Sequence, residues 1–416
     1  MTETTRGARF FARATLRTVT TVTRCWDCGR QPTTSHGTIG VRKTADGVVG
    51  FAGLTTCGRV WLCPVCNAKV MAKRAVEIGA MLTWAAVEGY HVIWGSLTVR
   101  HQAGESLADL IAMQQSAWRH VMQSRTWSKT SSSKRVDHVH GPACQGVSFS
   151  DGTEVVECDR KYDTVLKRDA AGDVVDGRIG YVRAAEITVG ANGWHPHFHP
   201  IILWKGDVEA GNRFAYDVVT EWLTGITNAG GDALREGGQK LEVVTGLDIF
   251  DHLNGYVTKA VFSDPAKLAL ETVWSQGKLN TRRVHDTESH WSLLAGIEHG
   301  SAQDRAEWIE LEEATHGHRM ITWSRGLRAF AGLADEIDDE EIAAEEVGSK
   351  HDTVAVITPR GWETVQDNPA ALAAILDSLD AGGLAELVDV FDEWGVEWVP
   401  FDEVGSVTWS MAGADL

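Results

Sequence analysis

GWHPHFHPIILW, residues 193–204, sets three histidines at every second position and follows them with an apolar run. Side chains alternate across a β-strand, so His195, His197 and His199 share one face, with Pro196, Phe198 and Pro200 on the other. The preceding stretch GYVRAAEITV (180–189) is also strand-like, and GANG (190–193) reads as the turn between them. If Val189 pairs with Trp194, Glu186 falls directly opposite His197 on the histidine face. Two imidazoles and a carboxylate then converge on one point, a donor set suited to a divalent cation with open coordination positions. A lone histidine on a sheet is ordinarily a core or surface residue; three at period two, facing a glutamate, are not.

Working outward, HVIWGSLTVRH (91–101) reads as a strand and ESLADLIAMQQSAWRHVMQ as an amphipathic helix with Leu107, Leu110, Ile111, Trp118 and Val121 on one face. Residues 125–178 are polar and rich in Gly, Asp and Ser, and are expected to be an insertion of loops with a short hairpin. A helix bearing Phe214, Val218 and Trp222 follows the histidine strand, then the short strand KLEVVT and a helix over 249–262. This order predicts an α+β fold with a central, mainly antiparallel sheet flanked by helices. Three regions are expected: 1–80, basic with zinc knuckles; 81–265, carrying the histidine strand; and 266–416, largely helical and acidic.

The net charge of −18 is unevenly spread: residues 1–150 hold 18 Lys and Arg against 8 Asp and Glu, whereas 301–416 hold 6 against 26. A basic front suits polyanion binding, with Lys69, Lys73 and Arg74 on one helix and Arg100 at a strand end as phosphate contacts. No stretch approaches the roughly 18 apolar residues of a membrane span. The N-terminus has no apolar signal core, so a cytoplasmic protein without membrane contact is expected. Cysteines there point to metal rather than disulfides. Cys25-x-x-Cys28 and Cys63-x-x-Cys66 form two knuckles offering four thiolates for a structural Zn²⁺, and Cys57 is a fifth sulfur that could replace one of them. His138, His140, Cys144 and Cys158 make a weaker second set.

On the helix over 249–262, Tyr256 has Lys259 three residues later and His252 four earlier, all on one face. A tyrosine hydroxyl, pKa about 10, attacks at neutral pH only with help from a cation that polarises the electrophile and an ammonium nearby. Alone, Y-x-x-K is a commonplace pair on an exposed helix.

LTVRH, HPHFH and GYVTK, in that order, resemble the three motifs of HUH endonucleases, and more narrowly of rolling-circle plasmid replication initiators of actinobacterial type. The CPVC knuckle and HRMITWSRGLRAF (318–330) fit the same group, and the resemblance covers roughly residues 20–350. It implies an HUH fold over 81–265 and a metal site of His197, His199 and Glu186 holding Mg²⁺ or Mn²⁺. It implies that Tyr256 attacks a phosphate of single-stranded or extruded (cruciform) origin DNA, with Lys259 holding the phosphate or the tyrosinate. His195 would sit beside the metal ligands, and a host helicase is a family-level partner. Some related initiators place a Glu one turn before the tyrosine to end replication; here His252 occupies that position, and Asp251 is turned off the face.

Relaxases and transposases of the same class share this chemistry, and the knuckles and WSRGLR favour the initiator. A cupin-like oxygenase or hydrolase wants a Glu a few residues after the histidine pair, where PIILWK stands instead. A non-enzymatic zinc protein that binds DNA would leave the histidine strand and Tyr256 without a role.

Overall fold

The computed structural model describes residues 5–139, 160–245 and 287–401, and the chain divides into two compact units. Among described residues the first unit holds 5–76, 287–318 and 337–401, and the second holds 77–139, 160–245 and 319–336. Asp251, His252, Tyr256 and Lys259 lie outside the described residues, as do His140, Cys144 and Cys158.

The first unit contains α1 (Thr5–Arg17), α2 (Thr23–Asp27), β1 (Ile39–Lys43), β2 (Val49–Ala52) and the start of α3 (Pro64–Val87), then β9 (Thr287–Ser289), β11 (Thr353–Ile357) and β12 (Trp398–Pro400). Its sheet runs β12–β11–β1–β2 with every neighbour antiparallel. The N-terminal and C-terminal regions, expected to be separate, therefore share one sheet. Ile39 and Val41 of β1 and Ala355 and Ile357 of β11 turn into a core with Leu372, Ile375, Leu376 and Leu379 of the helix Pro369–Ala381. That helix starts where it does because Asn368 accepts from the Ala371 N–H at 3.2 Å and Pro369 occupies its first turn.

Charge follows the same joining. Arg6 pairs with Asp377, Arg30 with Asp367 at 2.9 Å, Arg42 with Glu346 at 2.8 Å and Arg24 with Glu340 at 2.6 Å. Basic residues of the first 76 positions thus pair with the acidic C-terminal region inside one unit.

The second unit contains β3 (His91–Thr98), α4 (Leu107–Gln123), α5 (Arg125–Lys129), β4 (Ser133–Asp137), β5 (Tyr162–Leu166), β6 (Gly177–Gly190), β7 (Gly193–Lys205), α6 (Val208–Asn228), β8 (Gln239–Val244) and β10 (Ile321–Trp323). Its main sheet runs β10–β6–β7–β3–β8, antiparallel throughout. This is the mixed, antiparallel α+β architecture expected of the sequence. Beneath α4 and α6 lies an aromatic layer: Trp118 meets Trp127, Tyr181 and Phe198 edge-on, with ring centroids 5.6, 5.4 and 6.2 Å apart. The opposite face carries Val92, Val182, Ile201 and Leu203 against Ile78, Met81, Leu82 and Ala85 of α3. Within 125–178, expected to be loops with a short hairpin, the structure has the helix α5 and the strands β4 and β5, an antiparallel pair apart from the main sheet. No helix among the described residues is long and apolar enough to cross a membrane.

Candidate metal centres

β6 and β7 are joined by a two-residue turn, Gly190 pairing with Gly193, and the register continues Val189–Trp194, Glu186–His197, Ala184–His199. A loop longer or shorter by one residue would move Glu186 to the other face. Along β7 one face carries Leu203 and Ile201 into the core, then His199, His197 and His195 toward the turn. The apolar half anchors the strand, and the histidine half emerges where the α3 core ends.

Glu186, His197 and His199 come together with one ligand atom from each within 4.8 Å of the others. Nε2 of His197 and Nε2 of His199 each lie 3.0 Å from the same Oε2 of Glu186. Donors on adjacent corners of an octahedron with bonds of about 2.1 Å are about 3.0 Å apart, so the spacing fits a small divalent cation. Each ring is fixed from behind: His197 Nδ1 donates to the His195 carbonyl at 3.0 Å, and His199 Nδ1 donates to the Gly95 carbonyl at 3.1 Å. A backbone acceptor on Nδ1 is the usual support for a ligating Nε2.

The electrostatics are those of a paired cluster. Desolvation raises the Glu186 carboxyl, but hydrogen bonds from His197 and His199 outweigh it and hold the group well below the usual carboxylate range. Burial lowers His197, yet the bond to Glu186 and its charge raise it above the ordinary imidazole value. His195 stands apart: burial, then the neighbouring His197 and His101, push it down to about 4. Its Nδ1 lies 2.7 Å from Nε2 of His101, whose Nδ1 donates to the Asn192 carbonyl at 2.9 Å. His101, the last residue of LTVRH, was not singled out from sequence; the strand pairing that carries it toward the turn is a tertiary fact.

In the first unit the cysteines gather differently from the two-knuckle expectation. Cys28, Cys57, Cys63 and Cys66 form the quartet, all buried, with Cys57 in the place expected for Cys25. Sulfur separations of 3.7 Å (Cys28–Cys63), 3.5 Å (Cys28–Cys66) and 3.6 Å (Cys57–Cys66) match the edge of about 3.8 Å of a tetrahedron with metal–sulfur bonds near 2.3 Å. Cys25, itself fully buried, lies near Cys57 but outside the quartet. The physical reason is the CGRVWLCPVC turn: Cys63 and Cys66 open α3, and the chain before them folds back so that Cys57 reaches the same pocket.

The four expected phosphate contacts are occupied by protein acceptors. Lys69 donates to the Ala343 carbonyl at 3.0 Å, and Lys73 pairs with Glu345. Arg74, only 3 % exposed, bonds the Ile337 carbonyl at 2.7 Å and Asp339 at 2.9 Å. Arg100 remains exposed but pairs with Asp232 at 2.9 Å. Lys69, Lys73 and Arg74 thus hold the acidic stretch 337–345 in place, which a spacing argument along one helix had no means of showing.

The protein rep of Streptomyces lividans is 30% identical over 363 residues, 78% of this chain and 75% of that protein. A neomycin resistance protein of Streptomyces cyanogenus is 32% identical over 194 residues, 43% of this chain and 39% of its own length. No family model and no solved structure matches. With a donor set able to hold a divalent cation on its histidine strand and a similarity that spans three quarters of the Streptomyces lividans protein, this chain belongs to the Rep protein family.

Proposed function

We propose that this protein starts plasmid rolling-circle replication by nicking and rejoining origin DNA through a tyrosine of HUH type. The observation that carries the reading is the convergence of His197 and His199 on one oxygen of Glu186, within a member of the Rep family. Mg²⁺ or Mn²⁺ bound there would withdraw charge from a scissile phosphate and sharpen its phosphorus as an electrophile.

The chain's own groups do the rest. His197 and His199 present Nε2 because their Nδ1 protons are committed to backbone carbonyls. The Tyr256 oxygen attacks phosphorus and the bond to the 3′ oxygen breaks, leaving a 5′-phosphotyrosine and a free 3′-OH. One phosphodiester is exchanged for another ester, so no nucleotide is hydrolysed and the step runs backwards as readily. Lys259 holds the phosphate or the tyrosinate. The Cys28–Cys57–Cys63–Cys66 quartet holds a structural Zn²⁺.

Incubation with single-stranded origin oligonucleotide and Mn²⁺ is expected to give a covalent protein–DNA band that Tyr256→Phe abolishes. A Tyr256→Phe protein that still forms the adduct overturns the assignment of the nucleophile.

A further inference from the structure

Lys69, Lys73, Arg74 and Arg100 are already paired with protein acceptors, and the second unit carries other basic residues without an ion pair among the described residues. One group of exposed basic residues in the second unit lies on and beside the β4–β5 ribbon. Residues 125–138 and 160–168 hold eight Lys and Arg against two Asp. The connecting residues 139–159 add no Lys or Arg by sequence, so the positive charge lies on α5, on Lys134 and Arg135 of β4, and on the residues that flank β5 (Arg160, Lys161, Lys167 and Arg168).

The ribbon pairs Ser133–Leu166 through Asp137–Tyr162. It is tied to its unit at the base, where Ser131 bridges Arg178 and the Lys167 N–H donates to the Ser132 carbonyl at 2.8 Å. Beyond that base neither strand has another strand beside it among the described residues. Lys134, Arg135 and Lys161 are exposed, and among the described residues no carboxylate pairs with any of them. The Arg135 guanidinium lies 4.1 Å over the ring of Tyr162, which is 47% exposed, and the two border an open concavity of about 550 Å³. Exposed Arg325 adds a further cation beside β5, since its neighbour Gly326 approaches the Thr164 side chain.

We propose that the β4–β5 ribbon is a duplex-DNA contact, its cations meeting phosphates along a groove. Five paired residues span about 17 Å, and a two-stranded ribbon fits the roughly 12 Å major groove. Single-stranded DNA is the poorer fit, because it asks for open aromatic faces in a trough, and Arg135 already covers one face of Tyr162. The proposal rests on the reading of this protein as a DNA-nicking initiator, and adds a duplex contact at the end of β6 away from Glu186.

The test is Lys134→Ala/Arg135→Ala/Lys161→Ala in the full chain, with binding to a labelled random-sequence duplex of about 30 base pairs followed across salt. Removing three phosphate contacts is expected to flatten the log–log salt slope by about 2.7 and weaken binding roughly tenfold or more at low salt. Arg213→Ala/Lys350→Ala/Arg360→Ala removes the same charge from exposed positions elsewhere and is expected to leave both unchanged. Unchanged duplex binding in the ribbon variant, an equal loss in the control variant, or a loss confined to a single strand of the same length overturns the proposal. Adduct formation on a short single strand is measured in parallel and is expected to survive in the ribbon variant. If the wild-type protein forms no adduct, the nicking reading fails while the duplex measurement still decides the ribbon.

Discussion

The Nδ1 proton of His199 is given to the carbonyl of Gly95, 3.1 Å away across the β3–β7 ladder. Gly95 can turn that carbonyl toward the histidine because β8 presses against it: a Cβ there would stand 1.7 Å from the Lys240 carbonyl oxygen. The residue that orients a candidate metal ligand is thus a glycine on another strand, chosen for a close backbone approach.

Gly95→Ala must push β8 away and move its own carbonyl. The expected outcome is a 10- to 100-fold weaker affinity for Mn²⁺, the usual cost of disturbing a ligand's supporting hydrogen bond. Calorimetric titration checks it, with Gly40→Ala as the comparison: its backbone is not left-handed, and an added Cβ would meet its nearest neighbour, Ala52, at 3.5 Å.

The metal-free cluster carries a pH signature. Glu186 is held low, so its contribution to stability is present above the ordinary carboxylate pKa of about 4.3 and is lost as pH falls through the depressed value. His197 is raised, so its contribution is full below about 6.5 and is lost as pH rises through its folded value. Metal competes with the imidazole protons. The gap in Tm between Mn²⁺-loaded and chelator-treated protein should therefore widen from pH 6 to about pH 8, and Glu186→Gln should flatten that trend.

Zinc content distinguishes the two cysteine assignments. Cys57→Ser is expected to lose bound zinc and to unfold the first unit at lower temperature, whereas Cys25→Ser keeps one zinc per chain. Elemental analysis of the purified variants decides it; zinc lost from Cys25→Ser but kept in Cys57→Ser would restore the two-knuckle arrangement.

Arg74 and Lys73 are neighbours on α3 with different predicted effects. Arg74→Ala leaves Asp339 and the Ile337 carbonyl facing a buried gap and should cost about 3 kcal/mol in urea unfolding. Lys73→Ala removes an exposed pair and should cost less than about 1 kcal/mol. If Arg74→Ala unfolds like the wild type, Arg74 is not the anchor of the 337–345 stretch.

The β6–β7 hairpin was legible because its information is local. A period of two, a two-residue turn and a glutamate eleven residues before His197 fix the register and the face, and tertiary packing had only to accept them. The long helices and the main strands were legible for the same reason. Tyr256 and Lys259 rest on spacing and resemblance, outside the described residues.

Segments distant in sequence found their partners only in three dimensions. Cys57 displaces Cys25 because the chain folds back before α3, and Arg74 meets Asp339 at 265 positions' remove. The sequence by itself determined the histidine face and its glutamate, and the split of charge between the two ends of the chain. Only the tertiary structure decided that the first 76 residues and the C-terminal region share one unit and pair charge with charge, because the choice of partner between remote segments is made by packing and desolvation, which no spacing along the chain records.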